Sequence, residues 1–163
     1  MDGSLKVPTS AIEGVWLKPL KQIEDQRGAV LHMMRCDAPF FPRFGEVYFS
    51  VVLPQMVKAW KRHKSMTQHF AVPVGKIKLV LFDDRPLSSS HGQIEKHILG
   101  RPDHYCLLRI PSMVWYGFKG LDPGPALLAN CTDLPHDPHE VETLPVSTPY
   151  IPFRWEEDDG RAI

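Results

Sequence analysis

Sixteen prolines and eleven glycines interrupt a chain of 163 residues so often that no long helix can run through it. Proline lacks the backbone donor a helix needs and its ring clashes with the preceding turn, so each one ends a helix or confines it to its first turn. The stretches between are short and rich in Val, Ile, Leu, Phe, Tyr and Trp, residues that suit a pleated, half-buried surface. The chain is therefore expected to be all-β. Expected strands are Gly14–Leu20, Ala29–Arg35, Gly45–Leu53, Val57–His63, Gln68–Val74, Lys76–Phe82, Gln93–Leu99, Tyr105–Ile110 and Ala126–Cys131. About nine or ten short strands at such spacing, with almost no amphipathic helix, make a sandwich or a barrel.

The connections carry turn chemistry. In Glu24–Gly28, Asp25 can bond local backbone and Gly28 supplies a permissive conformation. Ala38–Phe44 is a loop of prolines and aromatics with room for a short helical turn, and a tight corner is expected at Pro73-Val74-Gly75. Pro111–Leu121 holds Trp115, Tyr116 and Phe118 just ahead of the turn around Pro123-Gly124-Pro125. From Thr132 onward the chain is proline-spaced and polar, the pattern of an extended arm over the surface. One domain over 12–155 is expected, between a flexible 1–11 and an acidic tail 156–163.

Formal net charge is zero, which disfavours a polyanion-binding surface and with it nucleic acid as a partner. Cys36, Cys106 and Cys131 form no CxxC pair and suit a reducing compartment as small buried residues. The first twenty residues lack the basic start and apolar run of a secretion signal, and no stretch reaches the length of a membrane span. A cytoplasmic protein without a membrane partner is the expectation.

The stretch Met56–Asp84 concentrates the titratable groups. Strict alternation along Val57–His63 would send Ala59, Lys61 and His63 to one face and Lys58, Trp60 and Arg62 to the other. Lys61-x-His63 followed by Gln68, His69 and Gly75 has the layout of the first metal-binding motif of cupins. Lysine is a cation at neutral pH and ligates poorly, so no metal is expected unless His63 and His69 recruit a distant ligand.

Together, Asp25-Gln26-Arg27-Gly28, Val57-Lys58-Ala59-Trp60-Lys61-Arg62-His63, Gly75, Ile110-Pro111-x4-Tyr116-Gly117-Phe118 and Cys131-Thr132-Asp133 resemble the dTDP-4-dehydrorhamnose 3,5-epimerase family. The resemblance spans about residues 12 to 155 and implies a metal-independent, cofactor-free, homodimeric cupin, a double-stranded β-helix jelly roll acting on nucleotide sugars. It implies that Arg27 contacts the substrate diphosphate, that Lys58 stands where a second phosphate-binding arginine usually does, and that Gln68 replaces a phosphate-contacting lysine. Lys61 occupies the position of the family's catalytic histidine, Ala129 that of its tyrosine acid and Tyr116 that of a further histidine. The partner aspartate expected near Pro145-Val146 is absent.

Trp60-x-x-His63-Lys64 is similar to the related nucleotide-sugar 3,4-ketoisomerases, in which His63 matches the second of two histidines. The expected site is thus His63, Lys61 and Tyr116 for catalysis, with Arg27, Lys58, Gln68, His69 and Trp60 for substrate binding. The implied activity is epimerisation or isomerisation of a nucleotide-linked 4-keto-6-deoxyhexose, carried by dTDP or another nucleoside diphosphate, through proton transfer next to the ketone. A cupin that binds the nucleotide sugar without turning it over is the alternative, and a metal-dependent cupin is a third reading.

Overall fold

The computed structural model describes residues 9–121 and 123–158. Residues 1–8 and 159–163, which hold most of the expected flexible start and acidic tail, lie outside them. Twelve strands and one short 3-10 turn, Pro138–Glu140, make up the fold. The strands are β1 (Trp16–Pro19), β2 (Gln22–Asp25), β3 (Gly28–Leu31), β4 (Glu46–Val52), β5 (Val57–His63), β6 (Gln68–Val74), β7 (Lys76–Phe82), β8 (Ile94–Gly100), β9 (Cys106–Ile110), β10 (Trp115–Gly120), β11 (Ala126–Thr132) and β12 (Val141–Thr143). Two five-stranded antiparallel sheets, ordered β1-β9-β6-β11-β4 and β12-β5-β10-β7-β8, face each other as a jelly-roll sandwich, and β2-β3 forms a separate hairpin. No helix among the described residues is long and apolar enough to cross a membrane.

The strand sequences explain the layering. On β7, Ile77, Leu79 and Leu81 point between the sheets and join Phe70, Val72, Leu108 and Ile110 in the main core. The intervening Val80 and Phe82 point outward and are still buried, because the C-terminal arm lays Leu144, Ile151, Phe153 and Trp155 over them together with Trp60 and Trp115. The other sheet is covered likewise: Leu31, Met33, Met34 and Phe40 pack over Ala71, Tyr105 and Leu107. Strands covered on both faces read as apolar runs rather than alternating ones, as β6 and β7 do. Each fully buried side chain of this size contributes about 1.5–3 kcal/mol. At the corner between β6 and β7, Gly75 has φ +71°, and a Cβ there would stand 2.7 Å from Ala126 Cα.

The structure departs from the sequence expectations in several places. Trp115–Gly120, expected only as an aromatic stretch before a turn, is a central strand between β5 and β7. The strand expected over Ala29–Arg35 stops at Leu31, because Met33 and Met34 leave to cover the sheet. The polar arm after Thr132 contributes core: Ile151 and Trp155 are buried, and β12 pairs with β5, bringing Val141 opposite His63 and Thr143 opposite Lys61. Of the acidic tail, residues 156–158 are described, and Asp158 forms ion pairs with Lys78 and Lys96.

The most consequential departure is in β5. Across the ladder to β10, Tyr116 faces Lys61 and Phe118 faces Lys58, so three steps on β5 match two on β10. The extra residue is a bulge, which bends the strand and re-aims the side chains beyond it. Gly117 makes room for it, since a Cβ there would lie 2.5 Å from Ala59 Cβ. Strict alternation therefore fails: Lys58 shares the inner side with Lys61, while Trp60 packs outward under the arm.

Candidate active site

A cavity opens at one end of the sandwich between β4, β5, β10 and β11. Its outer part, about 270 Å³, is lined by Glu46, Tyr48, Lys61, His63, Tyr116 and His136. A narrower inner part of about 70 Å³ shares Tyr48, Lys61 and Tyr116 and adds Lys58, Phe118 and Asn130. Larger grooves of about 470 and 500 Å³ lie on the outer side of β5 around Arg62, Asp84 and Tyr150. Their charges are already spoken for. Arg62 Nη1 lies 2.9 Å from Asp84 and its Nε pairs with Glu142, while Trp115 Nε1 and Tyr150 Oη both donate to Asp84. The inner cavity, by contrast, presents polar groups that are not neutralised, and it is the better candidate.

Inside it a hydrogen-bonded row crosses from one sheet to the other. His63 Nε2 lies 3.2 Å from Tyr116 Oη, Tyr116 donates to Gln68 Oε1 at 3.2 Å, and Asn130 Nδ2 donates to the same oxygen at 2.9 Å and to Tyr48 Oη at 2.8 Å. His63, Gln68, Tyr116 and Asn130 are all buried. Burial disfavours charge and pushes the His63 pKa below the ordinary histidine value; Glu140 opposes this, whereas Lys61 and His136 add to it. His63 is therefore an uncharged imidazole at neutral pH. Burial also raises both phenols, Tyr116 the more strongly, with Gln68 and Asn130 as the opposing hydrogen-bond partners of Tyr116 and Tyr48.

Lys61 lines both parts of the cavity and has no hydrogen bond or ion pair among the described residues, whereas Lys58 Nζ donates to Val51 O at 2.8 Å. A neutral imidazole, a free cation and two phenols around one small space can move a proton on carbon and stabilise the oxyanion that results.

Five of the eight expected site residues, Lys58, Lys61, His63, Gln68 and Tyr116, converge here. The other three do not. Arg27 stands at the tip of the β2-β3 hairpin, its side chain 85% exposed and paired with Asp25 at 2.7 Å. Trp60 lies in the outer cluster beneath the arm. His69 points to the outer face of β6, with Nδ1 donating to Cys131 O at 3.0 Å and its ring beside Trp16. His63 and His69 are thus on different sides of the sandwich, which removes the pair on which a metal-binding reading depended. No cluster of three or more His, Cys, Asp or Glu able to hold a metal occurs among the described residues.

Tyr48 and Asn130 were not singled out from the sequence. A signal for each exists: Tyr48 falls on the inward parity of β4, and Asn130 is a lone amide in the otherwise apolar run Ala126–Cys131.

No protein-family model matches the chain. It is 55% identical to a dTDP sugar isomerase from Desulfovibrio desulfuricans, whose crystal structure matches with a TM-score of 0.89 over 91% of this chain and 94% of that one. It is 33% identical over 121 residues to the probable low-salt glycan biosynthesis epimerase Agl13 of Haloferax volcanii, covering 73% of this chain and 77% of that protein. It is also 28% identical over 146 residues to the spore coat polysaccharide biosynthesis protein SpsL of Bacillus subtilis, covering 88% of this chain and 96% of that one.

Proposed function

Since the chain belongs to the dTDP-4-dehydrorhamnose 3,5-epimerase family, we propose that it is an epimerase or isomerase of a nucleotide-linked 4-keto-6-deoxyhexose, acting by proton transfer on the carbon next to the ketone. The observation that carries this is the meeting of Lys61, His63, Tyr48 and Tyr116 in one cavity. A ketone acidifies its neighbouring C–H, and a base with a cation near the developing enolate oxygen lowers the barrier further.

In this reading the uncharged His63 accepts the proton and Lys61 holds the enolate oxygen, with Tyr116 fixing the imidazole through its 3.2 Å contact. With Nε2 against Tyr116, the nitrogen left to accept the proton is Nδ1, which has no partner among the described residues. Lys58 serves the anionic diphosphate. Trp60 and His69 support the cavity strands from their outer sides.

A homodimer is part of the proposal. On β4, the end strand of its sheet, Val47, Phe49 and Val51 point outward in a row at 45%, 62% and 54% exposure, and Leu53 extends it. An apolar row on an unpaired edge suits a second copy of the chain. Arg27 does not line the cavity of its own chain, so its place in the reading is at the diphosphate of the partner's ligand.

Incubation with dTDP-4-keto-6-deoxyglucose in D2O tests the function. Deuterium should enter the carbon beside the ketone, and Lys61→Ala and His63→Ala should each slow this by at least about 10²-fold. Absence of exchange in the unmodified protein would refute the reading, and undiminished exchange in both variants would remove these residues from the chemistry.

A further inference from the structure

The direction of each hydrogen bond in the cavity can be read from one backbone group. His69 N donates to Asn130 Oδ1 at 3.2 Å. A backbone N–H only donates, so this contact fixes which end of the Asn130 amide faces which way. Its NH2 group then points at Tyr48 Oη and at Gln68 Oε1, 2.8 and 2.9 Å away. The Gln68 oxygen only accepts, so the Tyr116 hydroxyl beside it must donate to it. With its proton committed there, Tyr116 Oη meets His63 Nε2 as an acceptor, and Nε2 must carry the hydrogen.

Two groups are left poised at the ends of this row. Neutral His63 has its lone pair on Nδ1, a buried atom without a partner among the described residues. Tyr48 accepts from Asn130, and its own proton has no acceptor among the described residues. Tyr48 lines both parts of the cavity, so that proton is available to whatever binds.

We propose that Asn130 and Gln68 are positioning residues that set the direction of every hydrogen bond in this row, so that Tyr48 donates to an oxygen of the ligand while His63 keeps its proton on Nε2. Resting on the function proposed above, the oxygen is the sugar's ketone. As the neighbouring C–H proton leaves, electron density moves onto that oxygen, and the Tyr48 hydrogen bond strengthens without the proton having to transfer. Tyr48 is then a catalytic residue, and it stands on β4, opposite Asn130 of the neighbouring strand and not at Ala129, where the family resemblance places a tyrosine acid.

Asn130→Asp is the decisive substitution because it preserves shape and reverses direction. A carboxylate at 130 accepts from His69 N, from Tyr48 Oη and from Gln68, whose amide must turn to present its NH2. Gln68 then donates to Tyr116, Tyr116 donates to His63 Nε2, and the imidazole proton moves to Nδ1. Long-range proton–nitrogen spectra of uniformly 15N-labelled, ligand-free protein report the tautomer directly.

The expected results are Nε2–H in the unmodified protein, Nδ1–H in Asn130→Asp, and unchanged Nε2–H in Gln68→Glu, which keeps an acceptor at the junction. Nδ1–H in the unmodified protein overturns the proposal even if Asn130→Asp does not fold, and so does Nε2–H in a folded Asn130→Asp. In the deuterium assay, Tyr48→Phe should lower kcat by about 10²-fold to 10³-fold, as removal of one oxyanion donor does, with KM little changed. A Tyr48→Phe enzyme with full kcat would overturn the role of Tyr48. The tautomer is read without substrate, so the relay and the proposed reaction fail separately.

Discussion

Replacing Asp158 by alanine should cost more stability than its place near the end of the chain suggests. The Lys78 side chain is 1% exposed and that of Asp158 7%, and Asp158 also pairs with Lys96 at 3.0 Å. Removing the carboxylate leaves a buried ammonium with a second cation beside it. Breaking a buried pair in this way costs about 3–5 kcal/mol, most of it the cost of the stranded charge. Against a total of roughly 5–15 kcal/mol for a domain, that is a large fraction.

Urea unfolding followed by tryptophan fluorescence should show the midpoint falling by roughly 1–2.5 M, given a slope of about 2–3 kcal/mol per M for a chain of this size. Lys78→Met combined with Asp158→Ala should recover most of the loss, because an apolar side chain of similar length tolerates the site. The pH dependence follows from the same pair. Burial acts to raise the Asp158 pKa, but hydrogen bonds from Lys78 and Lys96 outweigh it and hold the carboxyl below its ordinary value. A depressed carboxylate contributes stability above its unfolded pKa of about 3.9 and loses it as the pH falls through the folded value, so this component of acid destabilisation should vanish in Asp158→Ala. A loss under about 1 kcal/mol, or a double variant as unstable as the single one, would refute the argument from stranded charge.

Lys61→Met should raise the His63 pKa, because the Lys61 charge adds to the burial that holds it down; an NMR titration of the imidazole in which the pKa stays put would place Lys61 too far away to steady an oxyanion there. Phe49→Glu puts a charge into the outward apolar row of β4 and should convert the proposed homodimer to monomer in light scattering, with exchange activity weakened through the loss of the partner's Arg27. An unmodified protein that is already monomeric at micromolar concentration would remove the dimer from the reading.

Much of the site was legible because it is local in sequence. Lys61 and His63 stand two apart on one strand, Gln68 opens the next, and Tyr116 follows a marked Ile-Pro turn, so spacing and the family resemblance together reach them. What failed did so for local geometric reasons. Alternation misplaced Lys58 because a bulge adds one residue to β5 opposite Tyr116 and Phe118, and period-two reasoning has no means of placing such an insertion. β10 was passed over because Gly117 and Gly120 weaken the look of a strand, although Gly117 is there to accommodate Ala59. Tyr48 and Asn130 acquire meaning only through each other, 82 positions apart, and their pairing depends on the β4-β11 register rather than on any motif. The arm after Thr132 looked too polar for core because its buried residues, Ile151 and Trp155, are spaced between prolines and charges.

The pairing of β12 with β5 has a consequence in time as well as in space. β5 carries the cavity's lysines and His63, yet its free edge finds a partner only when residues 141–143 arrive, and the Arg62–Glu142 contact joins positions 80 apart in the chain. Contacts of such sequence separation are late to form, because the loop between them must close first. A chain still emerging from the ribosome can hold Lys58, Lys61 and His63 in order long before the strand that bears them is sealed. The site is therefore finished by a segment made some 80 residues after the strand it seals, and until then that strand is an open edge.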